Sequence, residues 1–208
     1  MNDTAHAGSG ALLSKHRIEA LSDGVFAVVM TLLVLEIKPD MAMHADDEAV
    51  RHLLRALVPP VLTFAVAFLI SGVFWSLHHR KFALLRHTNN LHSSLTLAFL
   101  FAVTLLPVSI SIYLHAKSSG LARAVYFANF TLIALSLLVS WLYAQRAGLA
   151  DTAPPADLRR QLTRRMAAMT GMGVIATLAC YFDLPYLILL ALPVVTYLRR
   201  RPQAPAPP

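Results

Sequence analysis

The sequence predicts an all-α integral membrane protein with six transmembrane helices per subunit. Composition points there first: 57% of the 208 residues are hydrophobic and 14% are charged, against about 25% charged in an average soluble domain. The apolar residues also fall into six separate stretches, the clearest of them near the roughly 20 residues a bilayer span requires. The basic residues lie between those stretches and form no continuous face, so the net charge of +7 is not read as a nucleic-acid surface. The one cysteine, Cys180, excludes an intrachain disulfide framework. The N-terminus MNDTAHAGSG lacks the basic region and cleavage site of a signal peptide, so the first span is expected to remain in the mature chain.

Helices are expected at about 18–37, 54–77, 91–114, 122–144, 165–182 and 184–198. The sixth is short and pairs with the fifth through Asp183-Leu184-Pro185. Pro59 and Pro60 fall near the start of the second span and Pro107 in the third, tolerable where neighbours satisfy the freed carbonyls. Residues 1–16 form a cytoplasmic N-terminal tail, 17–198 the membrane domain, and 199–208 a basic, disordered tail. With the N-terminus inside, 13 of the 18 Lys and Arg residues fall on the cytoplasmic side, which sets the orientation and places both termini there.

That topology brings two polar clusters to one depth. The first span runs outward, with Arg17, Ser22 and Asp23 in its cytoplasmic third; the second returns and ends in FWSLHHRKF, residues 74 to 82. A carboxylate inside a span is costly and usually paired. A structural network is therefore expected to join Arg17, Ser22, Asp23 and at least one of His78 and His79, with Trp75 at the same level. Gly24 would permit close helix approach beside it. The alternative is an interfacial belt, with Trp75 as an aromatic anchor and Arg17, His79, Arg80 and Lys81 touching headgroups.

On a wheel with Val28 at zero, Leu21 falls near +20°, Leu32 near +40°, Leu35 near −20° and Thr31 near −60°, while Asp23 points roughly opposite. In a symmetric pore this face would form stacked aliphatic rings with one hydroxyl ring. Lipid-facing or core leucines would give the same pattern.

The run Arg17-Ile18-Glu19-Ala20-Leu21-Ser22-Asp23-Gly24, followed by Thr31-Leu32-Leu33, resembles the first-helix signature of the transmembrane-protein-175 potassium channels. Trp75-Ser76-Leu77-His78-His79 is similar to that family's second-helix stretch. Leu21 stands where the usual signature has phenylalanine, which removes an aromatic ring. The resemblance implies a homotetrameric, potassium-favouring cation channel of the bacterial branch, with one six-helix unit per subunit. It implies no enzyme activity and no cofactor beyond the permeant potassium ion. Its partners would be potassium, the lipid bilayer and copies of itself, in a prokaryotic cytoplasmic membrane. The first helix would line the pore, with Val28, Thr31, Leu32 and Leu35 as pore and selectivity positions. No TVGYG carbonyl filter occurs in the chain, so selection would rest on dehydration at an apolar constriction.

Two other functions compete with this one. A proton- or cation-coupled carrier would titrate Asp23 against His78 or His79, but carriers usually show internal repeats, and none is visible. A metalloenzyme would draw on His78, His79, His87 and His92, whose loop lacks acidic partners.

Overall fold

A computed structural model of the chain describes residues 14–38, 46–116, 118–151, 153 and 155–184, and these are helical apart from short connections. Helix α1 (Lys15–Leu32) continues as a short 3-10 turn (Leu33–Glu36). It is followed by α2 (Asp47–Ala83), α3 (Asn90–Thr104), α4 (Leu106–His115), α5 (Gly120–Arg146) and α6 (Ala156–Tyr181). Among the described residues, four segments are long and apolar enough to cross a membrane: Lys15–Glu36, Asp47–Ala83, Asn90–His115 and Gly120–Arg146. The expected fifth span lies within α6, which starts at 156 instead of 165 and carries Arg159, Arg160, Arg164 and Arg165 in its first turns. The expected sixth helix, beyond Leu184, and both terminal tails fall outside the described residues except for 14–16.

Helix α2 departs most from expectation. It has 37 residues, about 55 Å of helix against a hydrocarbon core of about 30 Å. Its start is set by Asp46, whose side chain accepts a hydrogen bond from the Ala49 N–H at 2.8 Å, with Asp47 and Glu48 in the first turn where the helix dipole favours them. Pro59 and Pro60 therefore sit inside the helix, not near its beginning. Pro60 lines a small cavity with Glu36 and His115, so the end of α1 and the end of α4 stand level with it. The turns before Pro60 extend past that level.

The expected third span is two helices. It breaks at Leu105, ahead of Pro107, which has no N–H to continue the helical pattern. Asn129 on α5 serves the break: its amide donates to the Ala102 carbonyl at 3.0 Å and accepts from Ser109 Oγ at 3.2 Å. A membrane interior offers no water for a freed carbonyl, so a neighbouring side chain takes that place.

The core runs through Phe26, Phe74, Phe82, Phe99, Ile133, Leu137 and Trp141, all buried. Helix α1 packs on α2 and α3, while α5 joins α3 and α4 to α6. At one end the α2–α3 turn pairs with the α5–α6 connection, through Arg86 N–H to the Leu149 carbonyl (2.9 Å) and Asp151 N–H to the Leu84 carbonyl (2.8 Å). Helix α5 is stopped there by Gly148 at φ 68°, with Gly148 N–H bonded to the Gln145 carbonyl and Leu149 N–H to the Ala144 carbonyl. That double closure needs a residue in the left-handed region, which glycine adopts without strain.

The small residues of α6 suggest close packing, and Gly173 provides it: a Cβ there would meet Thr131 Oγ1 at 2.5 Å and Phe130 Cδ1 at 2.9 Å. Gly171 has nothing within 4 Å, and Ala167 is exposed. Gly173→Val is therefore expected to destabilise the protein by about 1–3 kcal/mol in detergent unfolding, with Gly171→Ala close to wild type. Equal effects of the two would contradict this packing.

Candidate functional site: the first helix and its clasp

Helix α1 divides into two faces. Ile18, Ser22, Phe26, Val29 and Leu33 recur at three- and four-residue spacing and are buried against the rest of the subunit. The stripe singled out by the helical wheel lies elsewhere: Leu21 is 43% exposed, Val28 56%, Leu32 41% and Leu35 64%, and Thr31 is also exposed. The described residues thus leave these side chains uncovered along about 20 Å of helix. Thr31 Oγ1 donates to the Val28 carbonyl at 2.7 Å, so its proton is committed and the oxygen presents lone pairs to the outside.

The rotation of α1 is set by a clasp with the end of α2. His78 Nε2 and Ser22 Oγ are 2.9 Å apart in a fully buried setting. Ser22 Oγ also donates to the Ile18 carbonyl at 2.8 Å. With the single hydroxyl proton used there, the network assigns the His78 hydrogen to Nε2, which donates to Ser22. The His78 ring stacks on Phe99 of α3, with centroids 5.0 Å apart and planes at 10°. Beside it, Trp75 Nε1 donates to Asp23 Oδ1 at 2.8 Å. His79 stacks on Trp75 at 5.7 Å and lies 3.7 Å from the Glu19 carboxylate. Two i, i+4 pairs, Glu19 with Asp23 and Trp75 with His79, therefore face each other across antiparallel helices.

The single network expected from depth is thus two adjacent contacts, Ser22–His78 inside and Asp23–Trp75 outside. Asp23 bonds the indole instead of a histidine. Arg17 belongs to neither: it is exposed, and its side chain makes no hydrogen bond or ion pair among the described residues. The reason is rotation, since eleven residues place Arg17 about 20° from Val28, on the stripe's own face. Gly24 also lies on the uncovered side, with nothing within 4 Å of a Cβ there, so it makes no close approach among the described residues.

Lys81 is a core residue that the sequence alone does not reveal. It is wholly buried, with Nζ donating to Ser140 Oγ at 3.0 Å and lying 4.9 Å from the Phe82 ring centre. Burial of Lys81 replaces the headgroup contact expected of it, because the α2 end is enclosed by α5. Arg80 and His79 remain exposed. Glu36, at the end of the 3-10 turn that follows α1, has its Oε2 buried with no hydrogen-bond partner among the described residues; it is not among the residues singled out from the sequence, and a carboxylate closing an apolar span is the signal that could have found it. Among the described residues no three His, Cys, Asp or Glu side chains gather as a metal ion would require.

The chain is 32% identical over 171 residues to a potassium channel of Streptomyces collinus, a match covering 80% of this chain and 82% of that one. A family model described as the endosomal/lysosomal potassium channel TMEM175 matches residues 17–107. The chain belongs to the TMEM175 family. The matched segment runs from the start of α1 into α4 and so contains the stripe and the clasp. A crystal structure of a TMEM175 homologue from Chamaesiphon minutus, titled a lysosomal potassium-selective channel, superposes with a TM-score of 0.65 at 26% identity, covering 89% of this chain and 98% of that one. A threonine-to-alanine variant of the potassium channel MtTMEM175, crystallised with a nanobody fusion protein, shares the fold, with a TM-score of 0.59 at 16% identity over 95% of this chain and 96% of that one. The family is one of channels, not of enzymes.

Ser22→Ala removes the acceptor of a buried N–H and is expected to cost about 1–3 kcal/mol in detergent unfolding. His78→Phe keeps a ring against Phe99 and leaves no orphaned donor, so it is expected to cost less. The reverse order would count against the bond as described.

Proposed function

We propose that four copies of the chain enclose a central pore lined by α1 and pass potassium in preference to sodium down its gradient. One observation carries the reading: α1 is held in a fixed rotation by its buried face and clasp, while another face presents Leu21, Val28, Leu32 and Leu35 uncovered by the described residues of its own subunit. In a family of channels, a second copy of the same helix is the natural cover for such a face. The names of the Streptomyces and Chamaesiphon relatives support potassium as the ion. The proposed setting is a prokaryotic cytoplasmic membrane with both termini inside, which the distribution of 13 of 18 basic residues supports.

In this arrangement four Val28 side chains form a ring that offers no oxygen to a passing ion. Passage then depends on how cheaply the ion sheds part of its water, and sodium, which holds water more tightly, is penalised more. Leu32 and Leu35 repeat the apolar ring farther out, and apolar rings of this kind can close by dewetting. The Thr31 oxygen, with its proton turned to the backbone, offsets part of the lost hydration between them. Asp23 and Trp75 act behind this wall, fixing the angle of α1 against α2. A carrier using Asp23 against a histidine fits less well, because Asp23 is bonded to Trp75 while His78 is bonded to Ser22.

Reversal potentials under opposed potassium and sodium gradients in planar bilayers test the reading. Val28→Ile narrows the ring and is expected to raise the potassium-to-sodium permeability ratio by about fivefold, equivalent to about 1 kcal/mol of differential dehydration. Val28→Asn supplies polar groups and is expected to lower it. Ratios unchanged in both variants would remove the constriction from Val28.

A further inference from the structure

The junction of α5 and α6 contains a cavity that conduction through α1 does not use. It has a volume of about 650 Å³ and is lined by Gln145, Ala156, Arg159, Arg160, Thr163 and Arg164 among others. Among the described residues that line it, three are arginines and none is acidic. We propose that this cavity binds the phosphate headgroup of an anionic phospholipid in the leaflet that the basic end of the protein faces.

The cavity has a fixed polar floor. Thr163 Oγ1 accepts from Trp141 Nε1 at 2.8 Å and from Gln145 Nε2 at 3.0 Å, and it donates to the Arg159 carbonyl at 3.0 Å. Arg159 Nη1 donates to the Asp151 carbonyl at 3.0 Å, which orients its guanidinium. Arg160 extends from an exposed position. Helix α6 begins after Pro155 with no side-chain cap, so its positive dipole end stands at the cavity that Ala156 lines, with Asp157 in the same first turn but outside the lining. Guanidinium groups pair with phosphate oxygens two bonds at a time, which suits a phosphodiester.

Position selects a lipid over a free phosphate. The lining runs from Ala156 to Ala167, about 16 Å along α6. The apolar run of α6 begins at Met166, beside the Ala167 end of this lining, so the arginines stand at the level that a headgroup phosphate occupies. The same end of the molecule carries Arg80, Arg86 and Arg146, and basic pockets between membrane helices on the cytoplasmic side are established headgroup sites. Its assignment to the cytoplasmic leaflet rests on the orientation proposed above; the chemistry of the cavity does not.

The test is lipid retention by the purified full-length protein, read by native mass spectrometry, with phosphatidylglycerol and phosphatidylcholine supplied separately. Wild type is expected to retain phosphatidylglycerol and not phosphatidylcholine. Arg160→Gln with Arg164→Gln is expected to weaken retention by about thirtyfold, and Arg160→Lys with Arg164→Lys to restore much of it. Equal retention of both lipids, or undiminished phosphatidylglycerol in the glutamine variant, would overturn the proposal. So would binding of inorganic phosphate that the glutamine variant loses while neither lipid is retained, which would make free phosphate the ligand. Since the readout is binding, failure here leaves the conduction reading standing, and absence of current leaves this one standing.

Discussion

Which way α1 faces is the constraint on which the rest depends. Between lipid and a neighbouring helix there is little hydrophobic preference to choose one apolar face over another, so packing and polar contacts must choose. Here a serine hydroxyl and an imidazole do so at a buried point, with Ser22 bonded to His78. Once that pair is made, Ile18, Phe26, Val29 and Leu33 turn inward with Ser22. Leu21, Val28, Leu32 and Leu35 are left outward as a consequence.

The surrounding helices hold the clasp as much as they hold one another. Phe99 of α3 backs the His78 ring, and Phe26 of α1 packs on Phe99 in turn. Helix α5 encloses the far side, meeting Lys81 of α2 through Ser140 and the α3–α4 break through Asn129. Its contact with α6 at Gly173 and the paired connections at Leu85 and Ala150 complete the enclosure. A change in any of these is expected to reach the uncovered face of α1 through the angle of that helix.

Depth was legible in the sequence; rotation was legible only where a periodic pattern reported it. Ser22 and His78 could be brought together because topology put them at one level and both are costly to bury alone. Arg17 was grouped with them on depth, although its own place on the wheel separates it from Asp23. Glycines carry no such pattern, which is why Gly24 and Gly171 looked like contact residues as much as Gly173 did. Hydropathy set the start of α2 at its apolar run, whereas the capping oxygen of Asp46 set it seven residues earlier, at 47 instead of 54. Lys81 looked interfacial because its enclosure depends on α5, some 59 residues away in the chain. The arginines of α6 were visible as charge, but the cavity between them and α5 required the fold.

In the proposed channel, the uncovered stripe of α1 lines the conduction path. Cysteine accessibility tests it most directly, in a Cys180→Ser background that removes the native thiol. Single cysteines at Val28, Leu32 and Leu35 are compared with cysteines at Phe26 and Val29, and silver ion is added to open channels in bilayers. Irreversible block is expected at the three stripe positions and none at the two buried ones. Block at Phe26 and Val29 with the stripe positions insensitive would contradict it.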